Sequence, residues 1–105
     1  MYNVRMLKIG SVRFEWDEAK NAANKKKHGI SFEEATTVFL NVPLLVFHDP
    51  DHSNEEDRFL AVGISVNNRT LIVVHCESES GNIVRIISAR KATKSEQKKF
   101  FGGEK

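Results

Sequence analysis

The spacing of apolar residues changes period twice along the chain. In VRFEW, residues 12 to 16, Val12, Phe14 and Trp16 alternate with Arg13 and Glu15, the period of a half-buried strand. VRMLKI, residues 4 to 9, alternates more loosely and reads as a short strand ahead of the Gly10-Ser11 break. After Trp16 the alternation stops. Asp17 has the chemistry of a helix N-cap, and DEAKNAANKKKHG is rich in Ala and Lys. Lys25, Lys26, Lys27 and His28 fall in its last turn, where the macrodipole favours cations, and Gly29 suits a C-terminal stop. Ser31 and Glu34 have the spacing of a capping box, and Phe32, Ala35, Val38 and Phe39 form one stripe. A second helix is predicted from about Phe32 to Leu40, making a helical hairpin about the Gly29 turn.

From Leu44 the period returns to two. Strands are predicted over LLVFH, RFLAVGIS, TLIVVHCE and IVRIISAR, with an acidic loop at 49 to 57 and turns at VNNR and SESGN. Turns this short favour an antiparallel meander. Thr93-Lys94-Ser95-Glu96 is a further capping box, opening a short helix that ends near Phe100 and Phe101. The order is β-α-α-β-β-β-β plus a short C-terminal α. That is an α+β fold, a helical hairpin packed on a small, mostly antiparallel sheet. In TLIVVH, Leu71 and Val73 point one way and Ile72 and Val74 the other, so both sheet faces are apolar. The hairpin covers one face, and the other calls for the C-terminal helix or a partner chain.

Composition adds bounds. The 105 residues predict one domain. A net charge of +2 is only mildly basic, so the placement of cations matters more than their sum. Cys76 is the only cysteine, which excludes an intrachain disulfide and predicts a reducing compartment. The N-terminal residues lack the pattern of a signal peptide, and no run approaches the ~18 apolar residues of a membrane span. A cytoplasmic protein with no membrane association is expected.

Three groups of residues carry candidate chemistry. His48, Asp49, Asp51 and His52 supply imidazoles and carboxylates, but Pro50 and the loop setting give turn geometry and not a helical ligand pair, so no metal and no cofactor is assigned. His75 and Cys76 are adjacent in a strand and point to opposite faces, which excludes a thiol–imidazole pair. The third group is basic. A hairpin turning at 78 to 82 sets Arg85 opposite His75, so His75, Glu77 and Arg85 share a face. In a regular strand Arg85 and Arg90 then face opposite ways, with Arg90 beside Arg58 or the lysines that follow it. His or Glu can take a proton while Arg holds a phosphate, and RNA supplies its own 2′-hydroxyl nucleophile. The plain alternative is a Glu77–Arg85 cross-strand ion pair, leaving Arg90 as the catalytic arginine of the two.

Three stretches, FEWDEAKNAANKKKHGISFEEATTVF, DPDHSNEEDRFLAVGIS and RIISARKATKSEQ, together resemble the BrnT toxins of type II toxin–antitoxin systems. The resemblance runs over residues 12 to 100. It implies a RelE/ParE-like fold and a metal-independent ribonuclease that stops translation. It also implies a BrnA-like ribbon-helix-helix antitoxin, joined in a heterotetramer that meets promoter DNA only through the antitoxin. Carried over by motif, it points to Arg90, Arg58, Glu77, His52 and Arg85 as catalytic candidates. Lys27, His28, Lys91 and Lys94 become RNA-binding candidates. The chain departs from the family pattern at Ser78, where an Arg is common, and at Phe100 and Phe101, where a Tyr is common. These departures motivate an alternative, an attenuated toxin that acts only as an antitoxin-binding corepressor.

Overall fold

Gly10, at φ 60°, turns the chain between β1 (Val4–Ile9) and β2 (Val12–Asp17), which pair as an antiparallel hairpin. The computed structural model describes residues 4–49 and 57–102. At the end of β2 the Asp17 carboxylate accepts from the Ala19 amide at 2.9 Å and starts α1 (Glu18–His28). Gly29, at φ 73°, closes that helix by donating its N–H to Lys25 C=O at 2.8 Å, a left-handed cap that glycine enters without a Cβ clash. The Ser31 hydroxyl accepts from the Glu34 amide at 3.0 Å and opens α2 (Phe32–Thr36).

The predicted second helix is shorter than its apolar stripe. α2 gives way to a 3-10 turn over Thr37–Leu40. Thr36 Oγ1 donates to Glu33 C=O at 2.7 Å and Thr37 Oγ1 to Glu34 C=O at 2.6 Å. Such back-bonding competes with the regular helical ladder and accompanies the tighter coil. The reciprocal half of the Ser31 capping box is also missing, because the buried Glu34 carboxylate is taken by Ser65 Oγ and Arg69.

The remaining elements are β3 (Leu44–His48), β4 (Arg58–Ile64), β5 (Thr70–Glu77), β6 (Ile83–Lys91) and α3 (Lys94–Phe101). β3 to β6 form the expected antiparallel meander. β6 also pairs in parallel with β2, so the six-stranded sheet is mixed, in the order β1-β2-β6-β5-β4-β3. α1 and α2 lie on one face over Phe14, Trp16, Leu71, Val73, Val84 and Ile86, the main core. On the other face Phe100 and Phe101 of α3 pack with Val62, Ile72 and Ala92. The C-terminal helix therefore covers one end of the second apolar face and leaves the other end open.

The β5–β6 register sets the rest. Val74 pairs with Ser88 and His75 with Ile86, so Ile87 is the extra residue of a β-bulge. Asn24 of α1 secures the strand just beyond it. Its Nδ2 donates to Ala89 C=O at 2.7 Å, and its Oδ1 accepts from Ala89 N–H at 3.2 Å. β2 pairs only with residues 83 to 85 of β6, so the Asn24 amide completes the backbone hydrogen bonding of Ala89 on the side of β6 that β2 no longer covers.

Candidate functional site

The bulge overturns the expectation that Arg85 and Arg90 face opposite ways. Val84, Ile86 and Ala89 are buried toward the helices. With Ile87 skipped, Arg85, Ser88 and Arg90 all fall on the opposite face. Arg85 pairs with Cys76 and not with His75, and Cys76 pairs in turn with Arg58. Arg58, Cys76 and Arg85 thus form a row across three adjacent strands. At the usual ~4.8 Å strand spacing the two arginines stand about 10 Å apart at their backbones, with a small side chain between them. The next rows hold Ser88, Val74 and Leu60, then Arg90, Ile72 and Val62 beneath α3.

Asp49, Arg58, Leu60, Val74, Ile87 and Ser88 line a cleft of about 410 Å³ on this face. The Asp49 amide donates to Arg58 C=O at 2.8 Å, which fixes the end of β3 beside the start of β4. Arg85 lines a smaller cleft of about 200 Å³ with Glu15, Cys76 and Glu77. Its side chain is exposed and forms no hydrogen bond or ion pair among the described residues. Glu15 beside it is engaged by Arg13 Nε at 3.4 Å.

Arg90 is differently committed. Its two terminal nitrogens donate to the two Glu96 oxygens at 2.9 and 2.8 Å, the planar fork that matches a carboxylate. Glu96 also completes the capping box of α3, accepting from the Thr93 amide at 2.9 Å. The Arg90 hydrogen bonds are the main cause that holds the Glu96 carboxyl down to about 2, and Glu96 in turn raises Arg90. Arg90 therefore joins β6 to the first turn of α3.

Glu77 lies elsewhere than expected. It pairs with Val84, and its Oε2 meets His75 Nε2 at 2.9 Å, so the expected Glu77–Arg85 ion pair is replaced by a Glu77–His75 contact. Its edge still borders the small cleft that Arg85 lines. His75 is fully buried between the rings of Phe39 and Phe59. Lys27 and His28 end α1 on the helix-covered side, so the sheet separates them from Arg58 and Arg85. Lys91 ends β6 and Lys94 begins α3, both exposed at the far end of the strand from Arg85. His52 and Asp51 lie outside the described residues. His48 pairs with Asp57 at 3.3 Å. Among the described residues no group of three His, Cys, Asp or Glu side chains is placed to hold a metal ion.

The sequence does not single out Asn24, and it offers Asp49 as a candidate metal ligand or an ordinary turn residue. Asn24 reads as an ordinary polar helix residue, and only its place opposite the bulge gives it a role.

Fold and site define a small α+β protein with a cleft on the open part of a sheet face, lined by Arg58 and Asp49, with Arg85 in the same row as Arg58. No helix among its described residues is long and apolar enough to cross a membrane. The chain belongs to the family of BrnT, ribonuclease toxins of type II toxin–antitoxin systems, whose sequence model matches residues 16–96. A search of curated proteins found no match. Membership confirms the resemblance carried by the motifs and implies an antitoxin partner.

Proposed function

We propose that the chain is a metal-independent endoribonuclease toxin that cleaves RNA at the Arg58–Arg85 row, stops translation, and is neutralised by a ribbon-helix-helix antitoxin of the BrnA kind. The observation that carries this reading is the row itself, two arginines flanking Cys76 beside a cleft, in a chain of a ribonuclease family. Their guanidiniums hold the phosphate and offset the charge that builds on its oxygens. The 2′-hydroxyl attacks the adjacent phosphorus, its proton passes to a base, and the P–O5′ bond breaks as the leaving oxygen is protonated. A 2′,3′-cyclic phosphate and a 5′-hydroxyl result. Asp49 is the carboxylate within the cleft and is proposed as the proton acceptor. RNA with the purified protein and excess chelator should yield cyclic-phosphate ends, and Arg58→Ala and Arg85→Ala should each slow cleavage by about a hundredfold or more. Intact RNA, free or on ribosomes, would sink the reading.

One observation favours a second reading, an antitoxin-binding corepressor that does not cleave RNA. Arg90, which the sequence suggests as catalytic, is held by both oxygens of Glu96. Growth arrest on expression without antitoxin excludes this alternative.

A further inference from the structure

We propose that a second, apolar cleft on the helix-covered face is the anchor site for the antitoxin, and that it takes an apolar side chain flanked by a lysine or arginine. The proposal rests on the family-based reading that an antitoxin exists. The 3-10 turn ends at Leu40, too early to cover the sheet beneath it. What remains is a cleft of about 290 Å³ between Val12, Phe39, Leu40, Leu44, Val46 and Val84. Val12, Phe39 and Leu44 pack directly on the main core, so the cleft is an opening into it. Its rim is apolar and open to solvent: Leu40 is 56% exposed, Val46 46%, and Val42, between them in the chain, 89%.

Among the described residues that line this cleft, Glu77 is the only charged one. Its carboxylate is oriented by His75, which is fully buried and whose Nδ1 has no hydrogen-bond partner among the described residues. A carboxylate in an apolar wall repels phosphate, so this is not a second RNA site. It suits a cation on an apolar stem, whose methylenes lie along the wall while its head meets the carboxylate. A second copy of the chain fits poorly, because a two-fold contact through the same patch brings Glu77 toward its own copy. An antitoxin segment with an apolar anchor and one basic side chain meets both requirements.

The test uses the full chain and a ribbon-helix-helix antitoxin of the BrnA kind, in a binding titration. Val46→Glu and Leu40→Asp, both at exposed rim positions, should each weaken binding by about tenfold or more. Glu77→Gln should weaken it less, and the wild-type advantage over that variant should shrink at high salt. Hydrogen exchange on the unmutated complex should show new protection over residues 38 to 46, which keeps the test valid if a variant misfolds. Unchanged exchange there, or wild-type affinity in folded rim variants, overturns the proposal and leaves the antitoxin reading intact. If the wild-type chain binds no antitoxin, that reading fails and the proposal with it. If Val46→Glu instead dissociates a dimer of the chain alone, a second copy occupies the cleft and the proposal is wrong.

Discussion

Asn24 shows how one side chain sets the face of a strand. Its amide satisfies both backbone groups of Ala89 and also donates to Ile30 C=O at 2.9 Å. Asn24→Ala leaves buried groups without partners, at about 1–3 kcal/mol for each donor or acceptor that water cannot reach. We expect a loss of about 2 kcal/mol or more in chemical denaturation, with RNA cleavage falling further than the unfolded fraction explains, because the strand beyond the bulge loses its brace. Asn24→Asp should restore little, since it cannot donate to Ala89 C=O. The ion pairs give a pH dependence of definite sign. Glu96 is held down to about 2, by Arg90 first, and Glu34 is lowered by Arg69 first, both from 4.5. Carboxyls depressed in the folded state stabilise it fully above their unfolded value and lose that contribution as they protonate. The melting temperature should therefore fall as pH drops from about 4.5 toward about 2, and Glu96→Gln should remove part of that slope. An equal slope in the variant would show that the Arg90–Glu96 pair contributes nothing.

Among the elements, β6 carries the site and α3 decides how much of the second face stays open. Because Ile87 is the extra residue, deleting it makes the strand regular without changing which face Arg85, Ser88 and Arg90 occupy. The deletion variant should fold, with the amide shifts of β5 and β6 retaining the present pairing. Loss of the sheet signals would contradict the assigned register. Phe101→Ala should cost about 2 kcal/mol, the order expected for a half-buried aromatic ring packed on Val62 and Ile72. Most elements were legible in the sequence, since period, caps and turn residues agree from Val12 to Phe101, but the expected order had one strand before the helices where the structure has two, β1 and β2. Three features were not. The parallel β2–β6 pairing is a long-range contact with no local signature. The bulge was invisible because RIISAR satisfies a regular strand equally well, and the face of each arginine hangs on that one residue. The reach of the second helix was overstated because the stripe Phe32, Ala35, Val38, Phe39 fits an α-helix and an α-helix that tightens to a 3-10 turn alike.

For the molecule as a whole, a net charge of +2 hides an uneven arrangement. Arg58 and Arg85 stand on the open sheet face, Arg90 and Glu96 offset each other beneath α3, and Glu77 sits in the apolar cleft behind. RNA binding should therefore weaken steeply with salt although the chain is nearly neutral. Replacing Arg85 with Ala should reduce the slope of log K against log salt by about 0.7, the value for one phosphate contact on a single strand. Replacing Lys27, behind the sheet, should change it less. The central claim, that the Arg58–Arg85 row is the seat of RNA cleavage, is met most directly by a single-turnover cleavage assay. It compares wild type, Arg58→Ala, Arg85→Ala and Lys27→Ala with chelator present and folding confirmed by melting. The account predicts cleavage by wild type and Lys27→Ala, with a loss of about a hundredfold or more in each arginine variant. Undiminished cleavage by Arg58→Ala and Arg85→Ala would contradict it.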